Sequence, residues 1–322
     1  IRLEIKPVSA ILDAPGKRLL VLDSAGTMHI LDPVSLQEQA TWPHVLNPGR
    51  ESILRSELTL VDGRLYVPDY QAQVTLVLDA ASGQQVGIIG QAGQITADLQ
   101  RNRLFLTNQG VYLVDPRTLE VTGSIPETVR QDRMLVVPGA VRANYNETYN
   151  LLFVTMTNNS PGSSNSTWLQ IYEGNTLARL NSPLATDKQF LSGLAIDSQA
   201  GRVWIASDFP SPDLALFTLD GQLITRLQGL GGSLYLDAAK GRLYVSDWDG
   251  LVTVDTATQE VIAYRPLNLT PAPGQILLFA PEMDTLYVTS SNGGILLAID
   301  PNAPVPPSAT PGEALTRQVV RD

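Results

Sequence analysis

A single short motif returns seven times along the 322 residues and constrains everything else: Arg18-Leu19-Leu20-Val21, Arg64-Leu65-Tyr66-Val67, Arg103-Leu104-Phe105-Leu106, Leu151-Leu152-Phe153-Val154, Arg202-Val203-Trp204-Ile205, Arg242-Leu243-Tyr244-Val245 and Thr285-Leu286-Tyr287-Val288. Its third residues stand at 20, 66, 105, 153, 204, 244 and 287, so the spacing runs from 39 to 51 residues. That period suits a blade of four short strands. The Gly, Pro and β-branched residues between the copies favour strands over a helical solenoid of similar period. Each copy is too small to bury its apolar face alone and must stack on its neighbours.

The expected fold is therefore all-β, a seven-bladed β-propeller of four-stranded antiparallel blades. The blades are expected at about 8–42, 56–90, 94–126, 139–182, 192–230, 232–266 and 274–300, within one propeller domain over 1–302. The seventh repeat runs out after three strands, at Ile299-Asp300. The alternating run Ile1-Arg2-Leu3-Glu4-Ile5 is expected to supply its fourth, so that residues 1–6 complete blade seven and close the ring. Residues 303–322 read as a Pro-rich tail or linker.

Each third strand is expected to end on an acid, at Asp32, Asp79, Asp115, Glu173, Asp220, Asp255 and Asp300. Such a residue caps its own turn by accepting local backbone N–H groups, a structural rather than a catalytic role.

The motifs, each followed by a hairpin and an Ile/Val/Leu-Asp pair, resemble the YVTN β-propeller repeat family. The resemblance covers residues 1 to about 300. It implies the seven-bladed fold shared with quinoprotein amine dehydrogenase-like propellers, and it spans both bacterial surface or periplasmic binding proteins and oxidoreductase subunits. The fourth copy departs furthest, with no leading Arg and a longer hairpin at Thr157 to Thr167.

Composition narrows the function. The formal charge of -10, with 22 Lys and Arg against 32 Asp and Glu, disfavours a nucleic-acid surface, which needs clustered cations. Cysteine is absent, which removes disulfides, thiolate metal sites and a thiol nucleophile. No run approaches the roughly 18 apolar residues of a membrane-spanning helix. Charged residues make up only 17%, so the surface is rich in Ser, Thr, Asn and Gln, in keeping with an extracytoplasmic bacterial protein, whether periplasmic, cell-surface or secreted.

Insertions fall at Pro43 to Glu57, Pro126 to Pro138, Asn158 to Thr167, Ser182 to Leu191, Phe209 to Asp213 and Pro266 to Gly274, on what is expected to be one face. Long loops on a rigid scaffold carry specific contacts, which makes that face the candidate binding surface for a protein partner or larger assembly. Its aromatic anchors are Trp42, Tyr70, Trp168, Phe209 and Trp248. The second strands end there on Asp23, Asp69, Asn108, Asp208, Asp247 and Asn292. Of these, Asp23, Asp69, Asp208 and Asp247 form a candidate carboxylate set for Ca²⁺ or a cationic ligand, set against the plainer reading that each caps its own hairpin.

No catalytic residue is assigned. Of the two histidines, His29 is expected on a blade surface and His44 in the first long loop near Arg50, Glu51 and Arg55. No nucleophile elbow, phosphate loop or H-E-x-x-H motif is present. The resulting reading is a non-catalytic binding or structural module with no cofactor. The alternative class is a metal-dependent hydrolase or lactonase-like propeller, or the propeller subunit of an oxidoreductase.

Overall fold

A computed structural model of the chain describes residues 5–47, 57–125, 142–158, 166–180, 184–186, 190–209, 212–246, 250–267, 274–290 and 295–303. These residues fold into seven antiparallel meanders, the blades of an all-β, seven-bladed propeller. The first sheet comprises β1 (Pro7–Asp13), β2 (Arg18–Asp23), β3 (Met28–Leu31) and β4 (Glu38–Trp42). The second is β5 (Thr59–Val61), β6 (Arg64–Asp69), β7 (Val74–Asp79) and β8 (Gln85–Ile89). The third is β9 (Gln94–Asp98), β10 (Arg103–Thr107), β11 (Val111–Val114) and β12 (Val121–Ile125). The fourth is β13 (Arg142–Asn146), β14 (Leu151–Asn158), β15 (Ser166–Glu173) and β16 (Leu184–Thr186).

The fifth sheet is β17 (Phe190–Asp197), β18 (Arg202–Phe209), β19 (Asp213–Thr218) and β20 (Leu223–Gln228). The sixth is β21 (Leu234–Asp237), β22 (Arg242–Ser246), β23 (Gly250–Asp255) and β24 (Val261–Pro266). The seventh has three strands among the described residues, β25 (Gly274–Ala280), β26 (Thr285–Ser290) and β27 (Ile295–Ile299). The pairing expected of residues 1–5 with this sheet rests on residues 1–4, which lie outside the described residues. Two compact units divide the chain. One holds residues 8–187, with sheets one to four, and the other holds residues 1–7 and 188–322, with sheets five to seven.

The repeated motif is the second strand of every sheet, and its unbroken apolar run has a physical reason. Leu65 and Val67 pack with Leu20, Leu22, Met28 and Ile30 of the first sheet, while Tyr66 between them packs with Leu104 and Leu106 of the third. Both faces of the strand are covered, so strict polar alternation would strand a polar side chain in the core. Full burial of each such side chain stabilises by about 1.5–3 kcal/mol. The same interleaving joins sheets three to four, five to six and six to seven.

A register shift between the third and fourth strands recurs at Ile30/Leu31, Val77/Leu78, Leu113/Val114, Leu216/Phe217 and Thr253/Val254. A bulge of this kind sharpens the local twist and swings the outer strand away. The residue after it closes the turn. Asp32 accepts Val34 N–H at 3.0 Å and Ser35 N–H at 2.7 Å, Asp79 accepts Ser82 N–H at 2.8 Å, and Asp255 accepts Thr258 N–H at 2.8 Å. In the fifth sheet the expected acid, Asp220, is displaced. Thr218 occupies the position after the bulge, and its Oγ1 accepts Gln222 N–H at 2.9 Å, while Asp220 lies within the turn.

These bonds stabilise the ionised form. The Ser35 N–H and hydroxyl hold the Asp32 carboxyl below its usual range, and the Ser82 hydroxyl and N–H do the same for Asp79. The Thr258 N–H does so for Asp255, and the N–H groups of Asn175 and Thr176 bring Glu173 down to about 2.

The Arg that leads the motif fastens each turn to the preceding sheet. Arg18 donates to the carbonyls of Ala80 at 2.9 Å and Ala81 at 3.2 Å, Arg64 to that of Pro116 at 2.6 Å, and Arg202 to that of Thr256 at 3.3 Å. Arg103 donates to Gly174 O and Arg242 to the Asn302 side chain. In four of these five cases an acceptor is the carbonyl directly after the turn-closing acid. Leu151 and Thr285 replace the Arg in sheets four and seven, the last sheet of each compact unit.

Candidate functional site

The arginine staples lie at one end of the sheets, where first strands turn into second and third into fourth. The turns there are short, as at 14–17, 62–63 and 238–241. At the opposite end, fourth strands run on to the next sheet and second strands turn into third. The connections 43–58 and 126–141 at this end are much longer.

In residues 8–187 the starts of the first strands meet at this second end, and hydroxyls stitch them together. Leu58 N–H donates to Ser9 Oγ at 3.0 Å, Thr59 Oγ1 donates to Ile95 O at 3.0 Å, and Tyr145 N–H donates to Thr96 Oγ1 at 3.3 Å. A short hydroxyl reaches a neighbouring backbone without filling the narrow space between strands.

Here the two long connections land on a salt bridge. Residues 43–58 end beside β5, where Glu57 stands, and residues 126–141 end at Arg142, the first residue of β13. The Arg142 guanidinium donates to Glu57 Oε1. The pair bridges the second sheet to the fourth, past β9 of the third. The two side chains are 35% and 39% exposed, so each can exchange its partner for a ligand's charge at small desolvation cost. Neither was marked by the sequence motifs. The only signal was the length of the connections that end at them.

The sequence-derived candidates are distributed differently. Asp23 Oδ1 accepts Ala25 N–H at 2.9 Å and Thr27 N–H at 2.8 Å, capping its own hairpin. Asp69, buried, does the same with Gln71 and Ala72 N–H at 3.0 and 2.9 Å. The Asn108 side chain donates to Ala92 O at 2.8 Å. Asp208 lies inside β18, one residue past Ser207, which stands at the position equivalent to Asp69. Its side chain, with those of Trp168 and Phe209, falls outside the described residues, as do Asp247, Trp248 and Asn292 entirely. Among the described residues no group of three or more His, Cys, Asp or Glu is placed to hold a metal ion.

Trp42 is half-buried, with its indole against Gly83 in the β7–β8 turn of the second sheet, where a Cβ would come within 2.4 Å of the ring. Tyr70, also half-buried, follows β6, and its carbonyl accepts the Gln73 side chain. His29 is not on a blade surface as the alternation with Ile30 suggested. It is 9% exposed, with Nδ1 at 2.6 Å from Glu38 Oε2 and Nε2 at 3.2 Å from Asp23 Oδ2. Both ring nitrogens face carboxylates, which fixes the imidazole as a bridge between β2, β3 and β4 and leaves neither nitrogen open to a substrate. His44 is exposed at φ 58°. Arg50, Glu51 and Arg55, the neighbours expected for it, lie outside the described residues.

No protein-family model matches the chain, and no curated protein sequence does. Solved structures do match. A hydrazine synthase chain from Kuenenia stuttgartiensis superposes with a TM-score of 0.70 at 12% identity, covering 93% of this chain and 97% of that one. The computationally designed Ika8 protein superposes with a TM-score of 0.57 at 12% identity, covering 92% and 87%. At these identities the likeness is one of fold.

Proposed function

We propose that the chain is a non-catalytic binding module that engages a protein partner through the end of its sheets where the long connections land. The observation that carries this is the contrast between the two ends. One is closed by short turns and arginine staples, whereas the other joins two long connections at a half-exposed salt bridge. The candidate acids Asp23 and Asp69 are committed to hairpin N–H groups and His29 to two carboxylates, which supports binding over acid-base chemistry. The proposal includes membership of the YVTN-type repeat group and an extracytoplasmic place of work, supported by the repeat motifs and the sparsely charged composition.

The test is partner capture by the double variant Tyr70→Ala/Trp248→Ala. The reading expects a several-fold loss of capture with an unchanged urea midpoint, and undiminished capture would contradict it.

A second reading, a propeller component of an enzyme, is favoured by the fold likeness to a protein named hydrazine synthase. Turnover that co-purifies with the protein and is lost when a companion chain is stripped away would support it.

A further inference from the structure

Resting on the proposed binding role, we infer that Glu57 is the anchor for a basic side chain of the partner, and that Arg142 is an internal stand-in occupying the anchor until the partner arrives. Arg142 differs from the staple arginines. Arg64 and Arg202 donate to backbone carbonyls of turns, and Arg18 adds to such carbonyls an ion pair with Asp13 in its own sheet. Arg142 instead reaches a carboxylate two sheets away, and among the described residues its guanidinium has only that partner and no turn carbonyl. A partner's guanidinium or ammonium offers Glu57 the same charge-assisted hydrogen bond that Arg142 makes.

The exchange conserves ion pairing and leaves Arg142 35% exposed to water, so no charge is stranded. Charge complementarity selects the sign of the ligand. A chain with a formal charge of -10 attracts a basic segment and repels an acidic one, over about 8–10 Å at physiological salt. The position suits a protruding segment, because Glu57 and Arg142 stand where the first strands of three successive sheets begin.

The probe is a fluorescein-labelled nonapeptide of alternating Arg and Ser, with an alternating Glu and Ser peptide beside it, read by anisotropy against the full chain. The Arg peptide is expected to bind the wild type, to lose at least tenfold in affinity with Glu57→Gln, and to gain several-fold with Arg142→Gln, which removes the competitor. Glu282→Gln makes the same charge change at an exposed position at the stapled end and is expected to leave affinity within twofold. Urea midpoints verify that each variant is folded, and a salt titration of the wild type reads the ion pair without any substitution.

Equal losses from Glu57→Gln and Glu282→Gln, or no loss from Glu57→Gln, would overturn the inference in favour of general attraction. Preference for the Glu peptide, strengthened by Glu57→Gln, would overturn it by making Arg142 the anchor. If partner capture falls in the Tyr70/Trp248 variant yet survives Glu57→Gln, the binding role stands and this anchor falls.

Discussion

The guanidinium of Arg64 donates to the backbone carbonyl of Pro116 at 2.6 Å, 52 residues along the chain and one sheet on. The partnership explains why a strand otherwise apolar through its core begins with a cation. The Arg64 guanidinium satisfies the carbonyl that follows the turn-closing Asp115. Arg64→Ala is expected to lower stability by about 1–2 kcal/mol, toward the low end for hydrogen bonds to charged groups because the site is partly exposed. Arg117→Ala, at an exposed position in the same turn, should stay within about 0.5 kcal/mol. Urea unfolding of the two variants makes the comparison.

Gly83 carries two constraints that Gly63 separates. Both have positive φ, +73° and +71°, but a Cβ on Gly83 meets the Trp42 indole whereas one on Gly63 meets nothing within 4 Å. Gly63→Ala should cost about 1 kcal/mol of backbone strain, and Gly83→Ala should cost that plus about 1–3 kcal/mol of overpacking. Adding Trp42→Leu to Gly83→Ala should recover part of the second cost. Equal destabilisation by the two Gly variants would contradict the packing of Trp42 against the second sheet.

The turn acids give the protein an acid limb. Asp32, Asp79, Asp255 and Glu173 all have folded-state values below those of the free side chains, 3.8 for Asp and 4.5 for Glu. The unfolded chain therefore takes up protons first. The stability these groups contribute is fully present above about pH 5 and is lost as pH falls, for Glu173 down to about 2. Urea midpoints should decline steadily between those limits, and Glu173→Gln should flatten the decline. A profile unchanged by that substitution would contradict the capping account.

Much of this fold was legible because the second strand is covered on both faces, so its apolar run survives in every copy despite loss of the leading Arg at Leu151 and Thr285. Positions set by turn length were not. Asp220 and Asp208 fit the repeat by residue type, yet the fifth sheet's turn places Thr218 after the bulge and Ser207 at the strand position of Asp69. His29 looked surface-facing by alternation, since nothing in one strand reveals that Asp23 and Glu38 on its two neighbours converge on the ring. Glu57 and Arg142 lie 85 residues apart outside the motif, and only the stacking of sheets brings them together.

The seventh sheet yields a further test. After β27 the chain makes an Asp-capped turn like those after β3, β7 and β23, with Asp300 accepting Asn302 N–H at 2.8 Å. Pro304, Pro306 and Pro307 then follow, none of which can donate to a ladder. The expectation that residues 1–6 supply this sheet with a fourth strand is open to a deletion test. Removing residues 1–6 should lower the melting temperature by many degrees, while removing 304–322 should leave it nearly unchanged. Equal effects, or none from the first deletion, would rule out closure by the first residues.

Binding of a protein partner at the long-connection end is open to direct measurement. Native mass spectrometry of the protein isolated gently from its source tests it most directly, comparing the wild type with a variant whose residues 128–138 are replaced by a Gly-Ser linker of equal length. A companion chain at fixed stoichiometry is expected on the wild type and a bare single chain for the variant. A bare wild-type chain, or a companion retained in full by the variant, would contradict it.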